Sequence, residues 1–265
     1  MTSSSETLHR IHAALDAGRE VLNRYTPGAI EAKFKSGDDP VTEADRAVDT
    51  VLRQHLLRDG EGWLSEESVD DSSRLDRNRV WVVDPLDGTR EFVQGIPEFC
   101  ISIAMVENGV PVAGGICNPA TNELIIGSRD TGVTYNGNPA QASQRKQLNG
   151  ASVLASRSEV KRGEWKQFEQ AEFNVRAMGS VAYKLGLVSA GLADITFTLV
   201  PKHEWDVAAG AALVLSAGGF VQTLENTDLV CNQKNPLITG LIAGGPFLRD
   251  ELMAMLSGPL NPVVR

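Results

Sequence analysis

Between residues 79 and 135 the chain is a succession of short apolar or β-branched runs, and this rhythm limits the fold more than any other feature of the sequence. The runs fall at 80–83, 99–106, 110–117, 123–128 and 133–135, separated by Asn108-Gly109, Asn118-Pro119 and Thr131-Gly132 and followed by Asn136-Gly137. They are strand-length, and Asn-Gly pairs accept the left-handed backbone that tight hairpins need. A meander of antiparallel strands is expected.

The first of these strands ends in acids. Trp81-Val82-Val83 has the apolar, β-branched character of a buried strand, and Asp84-Pro85-Leu86-Asp87-Gly88-Thr89 follows, with Pro85 and Gly88 forcing a turn. Asp84 and Asp87, with the main-chain carbonyl of Leu86 between them, can put several hard oxygens around one point, the environment Mg²⁺ prefers. Gly88-Thr89 offers main-chain N–H groups with little steric cover, suited to an anion. Read singly, the same string also makes an ordinary surface turn.

Helices surround the strands. Ser3 and Glu6 read as a capping box for a helix that carries Leu8, Ile11, Leu15 and Leu22. After a charged, turn-rich segment at 32–40, Thr42 caps a second helix with an apolar face of Ala44, Ala47, Val48, Val51, Leu52 and Leu56. Asp45 lies in its first turn, where an acid suits the helix dipole. Ser65-Glu66-Glu67-Ser68 then sets two carboxylates side by side, which repel unless both are solvated or a cation sits between them.

The second half changes rhythm. Strands are expected at 153–155, 175–178, 194–200, 220–223 and 237–243, with helices at 164–172, from Gly179-Ser180 to Gly191, at 205–215, and from Pro246 onward. The helix at 205–215 is almost wholly apolar, yet it begins with Asp206 beside Lys202, His203 and Glu204. An apolar helix that aims one carboxylate at a polar place resembles the wall of a site. A division near residue 140 gives two α/β halves, 1–140 and 141–265, sharing a cleft.

Composition sets the outer bounds. With 265 residues, 42% of them hydrophobic, the chain can bury a sizeable core. A formal net charge of −9 disfavours a nucleic-acid polymer as partner. No apolar run approaches the roughly 20 residues of a membrane helix. The first residues lack the build of a signal peptide, so a cytoplasmic location is expected. Cys100, Cys117 and Cys231 are an odd number without zinc-site spacing, so free thiols are expected and no disulfide.

Four blocks together carry a family resemblance: Thr42-Glu43-Ala44-Asp45, Ser65-Glu66-Glu67-Ser68, Trp81 to Thr89, and Trp205-Asp206-Val207-Ala208-Ala209-Gly210. In this order they resemble the inositol monophosphatase superfamily of Mg²⁺-dependent, typically lithium-sensitive phosphomonoesterases. The resemblance implies an α/β (α+β) fold, a layered α-β-α-β-α sandwich with two sheets sharing a cleft, and a homodimer. It implies Glu66, Asp84, the Leu86 carbonyl, Asp87 and Asp206 as ligands to two or three Mg²⁺ ions, with Asp84 bridging two of them. Glu67 lies beside these ligands, Gly88-Thr89 receives the phosphate, and Asp45 with Thr89 orients and deprotonates the attacking water. The chain has neither a G-x-x-x-x-G-K-[ST] loop nor a G-x-S-x-G elbow, so direct attack by activated water is the expected mechanism.

The substrate is read from departures within the motifs. Gly88-Thr89-Arg90-Glu91-Phe92 resembles the 3′(2′),5′-bisphosphate nucleotidase branch, and Gly179-Ser180-Val181-Ala182-Tyr183-Lys184 resembles that branch's G-S-x-x-x-K. Leu199 stands seven residues before Asp206, where inositol phosphatases tend to carry a Glu. Arg90, Ser180, Lys184 and Lys202 are therefore candidate substrate contacts, the cations serving a second phosphate; the other reading is solvated surface cations. Adenosine 3′,5′-bisphosphate is the leading substrate, with inositol monophosphate and histidinol or sugar phosphates behind. A reading from another class is a non-catalytic metal-binding interaction module, against which every matched ligand position keeps its acid.

Overall fold

Val80 and Val82 face one way from their strand and Trp81 and Val83 the other, and helices cover both faces. The computed structural model describes residues 4–34 and 40–256. Ser3, and most of the turn-rich stretch ahead of Thr42, lie outside the described residues. In chain order, α1 (Ser4–Leu22) precedes a small antiparallel pair, β1 (Lys33–Phe34) and β2 (Pro40–Val41), and then α2 (Glu43–Leu56). Next come β3 (Gly62–Ser65), β4 (Arg79–Asp87), the short helix α3 (Thr89–Gln94), β5 (Cys100–Glu107), β6 (Val110–Asn118), β7 (Glu123–Ser128), β8 (Gly132–Tyr135) and β9 (Asn138–Ala140). These seven strands form one sheet in sequence order, parallel at β3–β4 and an antiparallel meander from β4 onward.

The second half supplies β10 (Ser152–Ser156), α4 (Arg157–Lys161), β11 (Asn174–Met178), α5 (Val181–Ser189), β12 (Ile195–Thr198), β13 (Lys202–His203), α6 (Glu204–Ser216), β14 (Phe220–Thr223), β15 (Leu237–Ile238), β16 (Leu241–Gly244) and α7 (Arg249–Leu256). Its main sheet has the order β11-β10-β12-β16-β14, while β13 pairs with β15.

Three cores separate five layers. Helices α1 and α2 pack on Trp81, Val83, Ile101 and Ile103. Helices α5 and α6 fill the middle, between Val80, Val82 and Ala104 of the first sheet and Leu154, Val221 and Ala243 of the second. The outer face of the second sheet, with Val153, Ile195 and Phe197, meets Trp165, Phe168 and Leu252. Helix α6 is thus buried from Val207 to Val214, which explains its lack of a polar face there. Gly114 lets it approach: a Cβ there would lie 2.5 Å from the Ala209 carbonyl oxygen.

The sequence reading differs from the structure at 164–172. Only a 3₁₀ turn forms, Glu164–Phe168, because Trp165 and Phe168 project to one side at i, i+3 and both pack on Phe197. The five-residue α4, begun by Ser156 accepting from the Glu159 N–H, carries no periodic signal and went unread. All three cysteines are free and buried. Among the described residues no helix is long and apolar enough to cross a membrane.

Candidate active site

The β4–β5 pairing runs in register to Asp84 opposite Ser102, then slips before Asp87 meets Cys100. Such an irregularity re-aims side chains. Within it the Leu86 N–H donates to Asp84 Oδ1 at 3.0 Å, and the Leu86 side chain is buried in the α1–α2 core. Gly88 follows at φ +95°, and a Cβ there would come within 2.7 Å of the Glu98 carbonyl oxygen, so both conformation and space require glycine. The Thr89 hydroxyl sits 3.0 Å from both the Leu86 carbonyl oxygen and Asp45 Oδ1.

Asp45 closes a capping box at the start of α2: its Oδ2 accepts the Thr42 N–H at 2.8 Å and the Thr42 hydroxyl. Burial raises its pKa, with the hydrogen bonds from Thr42 and Thr89 working against the rise. From the other half, α6 brings Asp206 in its first turn, with Oδ2 accepting the His203 N–H at 2.9 Å.

One oxygen each from Asp84, Asp87 and Asp206 lie within 4.8 Å of one another. Burial pushes the Asp84 carboxyl well above its ordinary range, and the charges of Glu66, Asp87 and Asp206 push further. Asp206 rises to about 8, first from burial and then from Asp87 and Glu66. Asp87 is raised by burial but moderated by the Ser180 hydroxyl and the Ala182 N–H, both donating at 2.6 Å. Converging carboxylates that oppose one another's ionisation are a fitting donor set for a hard divalent cation. Glu66, just past β3, is half-buried and lines the same cleft. Its neighbour Glu67 is half-buried too, its N–H donating to Ser65 Oγ at 3.3 Å, and it is not among the cleft-lining residues.

Cations occupy another part of this cleft, whose volume is about 560 Å³. Lys184 of α5 is 3% exposed, so it is no solvated surface cation. Burial brings its pKa down to about 8, Asp87 opposing. Lys202 lies 3.8 Å from Glu159 Oε1, and Glu159 is itself buried, accepting the Thr198 hydroxyl at 2.6 Å and the Trp165 indole N–H at 3.3 Å. Ser180 caps α5 at an uncommon φ of +55° while donating to Asp87. Arg90 is exposed on the rim of the cleft.

Sequence reasoning missed several residues here. Asp49, one helical turn after Asp45, is buried and accepts the hydroxyls of Ser65 at 2.6 Å and Ser68 at 2.7 Å, holding both flanks of Glu66-Glu67. Its i+4 spacing from Asp45 was the available signal. Ser156, Arg157, Ser158, Arg162 and His203 also line the cleft, and no local pattern marks the α4 residues.

A fold of five alternating layers, with acids converging from both halves on one cleft, describes a class of metal-dependent phosphatases. Residues 4–255 match the model of the inositol monophosphatase family. Among the most similar relatives, the Nus factor SuhB of Xylella fastidiosa is 34% identical, covering 93% of this chain and 92% of that protein. The inositol-1-monophosphatase of Mesorhizobium japonicum is 32% identical, covering 95% and 96%. The solved inositol monophosphatase of Anabaena superimposes with a TM-score of 0.79 at 28% identity, covering 96% of each chain. The chain belongs to the inositol monophosphatase family, whose members are Mg²⁺-dependent phosphatases, and it is a phosphoric monoester hydrolase.

Proposed function

We propose that the substrate is a small phosphate monoester bearing a second anionic group, with adenosine 3′,5′-bisphosphate, cleaved to AMP and phosphate, ahead of inositol 1-phosphate and of other sugar or histidinol phosphates. Lys184 is the observation that carries this reading. Lys184 is 3% exposed, and holding a charged lysine so deep is costly unless anions compensate; Asp87, Glu159 and Glu91 do so in part, while Asp87 is also engaged by Ser180 and Ala182. A second phosphate against Lys184 and Lys202, with Arg90 at the rim, supplies that compensation. Leu199 packs against the outer core and offers the cleft no acid for ring hydroxyls.

In this reading Glu66, Asp84, the Leu86 carbonyl, Asp87 and Asp206 hold Mg²⁺, with Glu67 beside them. Bound there, the metal acidifies water, neutralises phosphoryl oxygens and stabilises the leaving alkoxide. The chain's own residues do the rest. Gly88 and Thr89 present main-chain N–H groups to the phosphate. The Thr89 hydroxyl takes a proton from the attacking water and passes its own to Asp45 Oδ1, 3.0 Å away. A buried carboxylate with a raised pKa is suited to holding that proton. A cytoplasmic homodimer belongs to the same proposal, and three buried free thiols fit a reducing compartment.

Steady-state kinetics on the competing esters, with Mg²⁺ present, test the reading. The bisphosphate is expected to lead in kcat/KM. A tenfold lead for inositol 1-phosphate, about 1.4 kcal/mol of transition-state binding, refutes the substrate assignment.

A further inference from the structure

Glu98, in the loop between α3 and β5, does not line the cleft, yet two groups of the second half end on one of its oxygens. Its Oε2 accepts the Gly179 N–H at 2.7 Å and a guanidinium N–H of Arg157. Gly179 also lies against the Glu91 side chain, since a Cβ there would come within 2.2 Å of Glu91 Cδ, and Glu91 Oε1 is 3.8 Å from Arg157 Nε. Two acids of the first half thus grip the turn that opens α5. The next residue, Ser180, holds its φ of +55°, a conformation that persists outside glycine only where the surroundings fix it. From there the Ser180 hydroxyl and the Ala182 N–H both donate to Asp87 Oδ2, which leaves Oδ1 for a cation.

We infer that Glu98 is a positioning residue for the acid cluster: by holding the Gly179 N–H it sets the backbone of Ser180, and through Ser180 it aims the Asp87 carboxylate. Hydrogen bonds to a carboxylate are stronger than those between neutral groups, and the ion pair with Arg157 keeps the Glu98 carboxylate from turning away from Gly179. Groups that orient a metal ligand without touching the metal commonly change metal affinity by tenfold or more when removed. Glu98 has this role only if the acids hold Mg²⁺, so it rests on that reading, and the experiment separates the two.

Calorimetric titration of the metal-free chain with Mg²⁺, with no ester present, is the test. Glu98→Ala is expected to raise the Mg²⁺ Kd about tenfold, and Glu98→Gln, whose amide oxygen can still accept the Gly179 N–H, to keep it within about twofold. Because Glu98 acts through Ser180, adding Ser180→Ala to Glu98→Ala should raise the Kd by much less than the product of the two single effects. Circular dichroism checks the fold of each variant; should Glu98→Ala not fold, Glu98→Asp, which keeps the charge but stops short of Gly179, carries the same expectation. An unchanged Kd in the folded variant, even with a lower melting temperature, overturns the positioning role, as do equal losses in Glu98→Ala and Glu98→Gln or single effects that multiply; each leaves the metal reading standing. An unaltered chain that binds no Mg²⁺ overturns that reading, and the role of Glu98 with it.

Discussion

Asp84, Asp87 and Asp206 form one group in the cleft and Lys184 with Lys202 another, and the two are assembled in different ways. The acids stand at the ends of regular elements: β4 delivers two of them through a slipped register, and α6 delivers the third in its first turn. The cations come from an interior position of α5 and from the two-residue strand β13, with the buried Glu159 of α4 behind Lys202. Asp87 joins the two groups, since it lies among the acids while accepting hydrogen bonds from the start of α5. In the proposed reading the acidic group serves the reaction and the cationic group selects the substrate.

This contrast can be broken by variants that separate turnover from recognition. The largest effect is expected from Asp84→Asn, with kcat falling by about 10³-fold or more. Its fold should survive, because a carboxyl pushed well above its ordinary pKa, first by burial and then by neighbouring acids, contributes no stability as an anion. Circular dichroism and a phosphate-release assay check both halves of the statement.

Lys184→Met should leave the acidic group in place and weaken recognition. An ion-assisted hydrogen bond contributes about 1.5–3 kcal/mol, so KM for the bisphosphate should rise by roughly 10- to 150-fold, with a far smaller change for a monophosphate. The pH dependence sharpens the point. Lys184 is protonated below about 8 and neutral above it, so KM for the bisphosphate should climb above that pH in the unaltered chain and stay flatter in Lys184→Met.

Metal removal probes the acids by another route. The Asp206 pKa is raised from 3.8 to about 8, so in the metal-free protein its contribution to stability is fully present below about 4 and is lost as pH rises toward 8. Mg²⁺ should therefore raise the melting temperature more at pH 8 than at pH 5, by a few degrees at saturating metal. Equal shifts at both pH values contradict this account of the cluster.

The smallest effect expected is that of Asp49→Asn. Its carboxylate accepts two serine hydroxyls that flank Glu66-Glu67, so the variant should lose about 1–2 kcal/mol of stability by denaturant titration and only a few-fold in activity.

The same contrast governs what could be read before any coordinates. The acidic group was legible because each acid sits next to a recognisable element boundary, Asp84 and Asp87 after Trp81-Val82-Val83 and Asp206 at the head of an apolar helix; Asp45, behind a Thr cap, was legible in the same way. The meander was legible from its Asn-Gly turns. The surroundings of Lys184 were not, because a lysine inside an apolar helix looks the same in sequence whether it reaches solvent or is enclosed by a second sheet. Glu159 and Arg157 escaped for a related reason, since a five-residue helix has no period to detect. Leu86 was half legible: its carbonyl was singled out, but the burial of its side chain in the α1–α2 core depends on helices far from it in the chain.

The central claim, that one group serves the reaction and the other selects the substrate, is tested most directly by a crystal structure with Mn²⁺ in place of Mg²⁺ and adenosine 3′,5′-bisphosphate bound to Asp84→Asn. The account predicts anomalous density beside Asp87 and Asp206, one phosphate at Gly88-Thr89 and the second against Lys184. Metal bound away from these acids, or a second phosphate directed to solvent with Lys184 untouched, would contradict it.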